Sequence, residues 1–110
     1  MLKTILAASI ATLLVAAPAM AETQFQKAHP RRAEVNHRER VQTHAINKAK
    51  RGGDITQAEA RDLHKQDLSI KKDERTDVKA NGGYLTKGET KDINQDLNGV
   101  RKDLHEDRTN

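Results

Sequence analysis

Two stretches of this chain read almost alike: Gly52-Gly53-Asp54-Ile55-Thr56-Gln57-Ala58-Glu59 and Gly82-Gly83-Tyr84-Leu85-Thr86-Lys87-Gly88-Glu89. They lie 30 residues apart, and pairing Gly52 to Ala80 with Gly82 to Asn110 gives 8 identities in 29 positions. The chain therefore carries an internal duplication, each copy one turn and one helix. A Thr followed three residues later by Glu is the spacing of a capping box, in which hydroxyl and carboxylate satisfy the free N–H groups of a helix start. The paired glycines ahead of it suit the end of the preceding helix.

Working outward, helices are expected over Ala33 to Lys50, Gln57 to Lys79 and Lys87 to Glu106. In the third, Leu85, Ile93, Leu97, Val100 and Leu104 form one apolar stripe. The second keeps that phase through Leu63, Ile70 and Val78, but Asp67 and Glu74 occupy the places of Leu97 and Leu104. Its far end is therefore expected to face solvent or a partner. The first helix offers only Val41, Ala45 and Ala49 at spacing four, with Val35 and Ile46 to either side. The fold class predicted is all-α, a small three-helix bundle or helical hairpin array spanning residues 33–110 with repeats at 52–80 and 82–110. Residues 22–32 read as a mobile basic arm ahead of it.

At the N-terminus, Lys3, the apolar run Ile5 to Ala17 and Ala19-Met20-Ala21 have the order of a secretory signal peptide cleaved after Ala21. A run of 13 residues rises only about 20 Å as a helix, short of a roughly 30 Å hydrocarbon core. The expectation is a periplasmic or secreted protein with no transmembrane segment in its mature chain. Cysteine is absent, so neither disulfides nor thiolate chemistry are available. Large apolar residues are few and the aromatics are Phe25 and Tyr84 alone, so the core is small and a homodimer or other partner is expected to add to it.

Chemistry-bearing patterns are sparse. With Gly53 or Gly83 at the sixth position of a calcium-binding EF-hand loop, the liganding positions would fall on Lys48, Lys50 and Gly52, or on Val78, Ala80 and Gly82, none of them a carboxylate. His37 and His44 stand two turns apart, too far to share an ion unaided. Glu34/His37 and His64/Asp67 have ligand spacing, but no second Glu-x-x-His completes a di-metal site. No nucleophile motif or cofactor signature is present, so no enzyme, cofactor, catalytic residue or metal ligand is predicted.

Charge is informative. Glu22 to Arg51 holds 8 Lys/Arg against 3 Asp/Glu, whereas Gly52 to Asn110 holds 11 against 13. Export removes nucleic acid as the partner of this basic segment and leaves acidic or unfolded polypeptides and anionic envelope surfaces. The residues expected to attract them are Lys27, Arg31, Arg32, Arg38, Arg40, Lys48, Lys50 and Arg51. Leu68 and Ile70, on the interrupted stripe, are the expected apolar contacts. The competing reading is a divalent-metal-binding or metal-buffering periplasmic protein using the histidines.

The stretch His29-Pro30-Arg31-Arg32-Ala33-Glu34-Val35-Asn36, with Gln42, Ile46 and the two Gly-Gly units, resembles a family of small exported proteobacterial proteins, a resemblance that brings no site residues. Ile55-Thr56-Gln57-Ala58-Glu59 and Leu85-Thr86-Lys87-Gly88-Glu89 resemble the Leu-Thr-x-x-Gln motifs of the Spy/CpxP family, departing from them in Glu for Gln, Ile for Leu once, and the preceding glycines. That resemblance implies a small, all-helical, periplasmic, ATP-independent chaperone or envelope-stress regulator.

Overall fold

The computed structural model describes residues 22–110, so the expected signal peptide lies outside the described residues. The duplicated turn and its cap generate the architecture. In each copy the Thr hydroxyl accepts the N–H of the Glu three residues on, and that Glu carboxylate accepts the Thr N–H: 3.0 and 2.8 Å for Thr56/Glu59, 3.1 and 3.0 Å for Thr86/Glu89. Ile55 and Leu85, just ahead of the caps, are buried with Ala60 and Thr90 four positions into each helix, the hydrophobic staple that fixes how a chain enters a helix.

The elements are α1 (Gln24–Ala28), α2 (Pro30–Arg51), α3 (Gln57–Ala80) and α4 (Lys87–Thr109), with no strand among the described residues. Short turns make α2, α3 and α4 an antiparallel bundle in which each helix packs on the other two. The fold is all-α, as expected. Its N-terminal part differs from expectation: α2 begins at Pro30, whose missing N–H costs nothing at a first helical position. Residues 24–28, within the expected basic arm, form a helical turn of their own. Thr23 and Gln26 form a third capping box, and α1 docks as a separate turn.

The glycine pairs end α2 and α3 by the same hydrogen bonds, one residue out of step. After α2, Asp54 N–H donates to Ala49 O (2.9 Å) and Gly53 N–H to Lys50 O (3.2 Å), with Gly53 left-handed at φ +79°. After α3, Gly83 N–H donates to Val78 O (2.8 Å) and Gly82 N–H to Lys79 O (3.5 Å), with Gly82 at φ +67°. Both are Schellman closures. The offset leaves Ala49 and Val78, each four positions before the left-handed glycine, turned toward the core.

Inward positions follow a three-four spacing on all three long helices: Val35, Glu39, Gln42, Ile46 and Ala49; Ala60, Leu63, Asp67, Ile70 and Glu74; Thr90, Ile93, Leu97, Val100 and Leu104. That is the seam of a coiled-coil-like bundle. The α2 stripe therefore passes through Val35 and Ile46, and Val41 is 54% exposed rather than part of it. The far end of α3 is also corrected: Glu74 is buried against the bundle and does not face outward.

Candidate functional site

Apart from Thr90 at the start of α4, the polar members of the inward stripes are Glu39, Gln42, Asp67 and Glu74, and all four belong to α2 or α3. The seam between these helices is consequently polar where α4 contributes Leu97 and Leu104. Gln42 Nε2 donates to Asp67 Oδ1 at 2.9 Å, and Lys71 Nζ pairs with Glu39 Oε1 at 3.3 Å. His64 Nε2 lies 3.0 Å from Asn47 Oδ1, within hydrogen-bond distance. The other oxygens, Glu39 Oε2 and Asp67 Oδ2, are inaccessible to solvent and have no hydrogen-bond partner. Burial pushes the Glu74 carboxyl up to about 7, with the charge of Glu39 adding to the rise and Lys71 and Arg32 opposing it. Burial likewise raises Asp67, against the lowering effects of Gln42 and His64.

Above this seam lies an open groove of about 580 Å³. Arg40, Thr43, His44 and Asn47 of α2 form one wall; His64, Leu68 and Lys71 of α3 form the other, and Glu39 and Asp67 also line it. Leu68 is 67% exposed, the most exposed of the large apolar side chains among the described residues. The groove thus joins one residue of the expected basic set, Arg40, to one of the expected apolar pair, Leu68. Ile70 does not line this groove: its place in the α3 stripe turns it toward the core, 6% exposed.

The remaining basic residues divide into two groups. Arg31 and Arg32 donate to the carbonyls of Leu85 and Gly83 at 3.3 and 3.1 Å, and Arg38 reaches Asn94 Oδ1 and Asn98 Oδ1, both at 2.8 Å. These three hold α2 to the second repeat, so they are joints of the scaffold first. Lys27, Lys48, Lys50 and Arg51 are exposed and make no ion pair among the described residues. At the top of α2, His29 stacks between Phe25 and Tyr84, with ring centroids 5.1 and 4.5 Å away, and Arg32 lies 5.0 Å over Phe25.

The sequence pattern did not disclose Glu39, Gln42 or Lys71 as site residues. The three-four spacing from Val35 to Ala49 was the available signal, obscured because two of its five positions are polar. Among the described residues no group of three or more His, Asp or Glu side chains is arranged to hold a metal ion, and no helix is long and apolar enough to cross a membrane. No known protein family, curated protein or solved structure matches the chain.

Proposed function

We propose that this is a non-enzymatic, exported helical protein that takes acidic or unfolded polypeptide into the groove between α2 and α3, in the manner of a chaperone. The observation that carries the reading is the meeting of exposed Leu68 with Arg40 and Lys71 in that groove. An acidic, partly apolar segment finds there both a cation and an apolar contact. From Arg40 to Asn47 the groove runs about 10 Å, the length of roughly three extended residues. Lys48, Lys50 and Arg51 continue the positive field beyond it and draw partners in through a screened attraction. Export is supported by the order of Lys3, the apolar run and Ala19-Met20-Ala21.

The test is suppression of aggregation of an acidic unfolded client at stoichiometric protein, with binding titrated against salt. Leu68→Ser and the pair Arg40→Glu with Lys48→Glu are expected to weaken binding several-fold each, with the scaffold intact. Charge reversal at Arg31 or Arg32 is a poor probe because both are tied to the α3–α4 turn. Binding to anionic vesicles without client protection would reassign the partner to a membrane surface. Failure to bind either, or affinity indifferent to both variants and to salt, would overturn the reading.

A further inference from the structure

We propose that Glu39 and Glu74 hold one proton between them, and that this proton clasps α2 to α3 so that the seam loosens when it leaves. The inference concerns the scaffold and stands whatever occupies the groove. Both residues sit on inward positions of neighbouring helices, 8% and 4% exposed, and Lys71, one turn before Glu74 on α3, bonds Glu39 across the seam at 3.3 Å, which brings the two carboxyl groups into the same stretch of it. Two ionised carboxylates so placed repel in a low-dielectric seam, and the cations at hand do not neutralise both. Lys71 engages only Glu39 Oε1 and is itself 41% exposed; Arg32 acts on Glu74 through space, with its buried Nε making no hydrogen bond. Of the charges acting on Glu74, Glu39 and Arg32 come from α2 and Lys71 from α3, and none from α4.

Glu39 Oε2 decides what can complete the pair. It lacks a donor and is inaccessible to solvent, so a group already buried in the seam has to supply one. A proton on Glu74 can, because it turns one carboxyl into a donor for the other. The second repeat has no counterpart: Leu104 stands where Glu74 does, so the clasp is confined to the α2–α3 seam.

The sign follows from which state keeps the proton. The unfolded chain releases it near the ordinary value of 4.5, the folded one near 7. The clasp therefore contributes fully below about pH 4.5, weakens as pH rises, and is gone above about 7. Burial also raises Asp67, which faces Gln42, His64 and Glu39, and raises Asp77 and Asp107 at the α3–α4 rim. The whole-protein pH profile is thus shared among several groups, and the variant difference is the diagnostic quantity.

Thermal unfolding and amide hydrogen exchange at about pH 5.5 and pH 8 test it. The wild-type protein should melt roughly 5 °C higher at the lower pH, and at pH 8 α2 amides between Val35 and Ile46 should lose protection relative to those of α4. Glu74→Gln keeps a donor at all pH values and should erase most of both differences. Glu74→Leu, which copies Leu104, should do the same, and it carries the test if the amide variant folds poorly. Either variant retaining the wild-type pH dependence, or α2 and α4 amides changing in parallel, would overturn the clasp.

Discussion

Thr56 and Thr86 each spare a helix start an unsatisfied N–H, and replacing either by Ala should cost about 0.5 to 2 kcal/mol. The two are not equal. Glu89 also accepts a bond from Asn81 Nδ2 at 2.6 Å, so releasing it unsettles the preceding turn, and Thr86→Ala should be the costlier change in urea unfolding. Glu89 is held below its ordinary carboxylate range, chiefly by the backbone N–H of Thr86. Its contribution is present at neutral pH and lost as pH falls through its lowered value, the reverse of Glu74. The glycine pairs give a second measurement. Gly53→Ala and Gly82→Ala force a side chain into left-handed backbone at about 1 to 2 kcal/mol each, whereas Gly52, at φ −80°, should accept Ala with little loss. Equal costs at Gly52 and Gly53 would contradict the Schellman assignment.

Among the elements, α3 and α4 were legible because local chemistry marks their starts and the end of α3: a capping box opens each, Asn81-Gly82 closes α3, and the apolar stripe of α4 from Ile93 to Leu104 is uninterrupted. Helix α2 was legible in existence and in its C-terminal end, but not in its start at Pro30 or in its phase. Glu39 and Gln42 fill two of its inward places, which left the exposed Val41 looking like part of its apolar face. The short α1 announced itself only through Thr23 and Gln26, a capping pair in a stretch without apolar periodicity. Two of the nine groove residues, Arg40 and Leu68, followed from charge and pattern, but a buried carboxyl pair depends on two helices coming together and no spacing within one helix encodes it. The docking of α1 through His29 onto Tyr84 makes an element-scale prediction. Tyr84→Ala should speed amide exchange in residues 24–33 while leaving α4 protected, and uniform loss across the bundle would show that Tyr84 supports the whole core instead.

For the molecule as a whole, attraction and integrity respond differently to salt. The described residues contain two ion pairs, Lys71–Glu39 and the exposed Arg108–Asp54 at 3.7 Å, and Arg38 is satisfied by neutral Asn94 and Asn98. Raising salt to about 0.5 M should therefore leave the melting temperature within a few degrees of its low-salt value while partner binding falls. A parallel collapse of both would mean that the scaffold itself is electrostatic. The duplication has one more consequence. Because α3 is at once the second arm of one hairpin and the first arm of the other, the bundle makes an odd number of passes. The chain enters beside Tyr84, where His29 stacks, and leaves beside Asp54, where Arg108 pairs. A 23-residue α4 rises about 35 Å between those points, so fluorophores at Thr23 and Thr109 would sit at the two tips of a molecular ruler, and cargo fused to one tip would be kept clear of whatever holds the other.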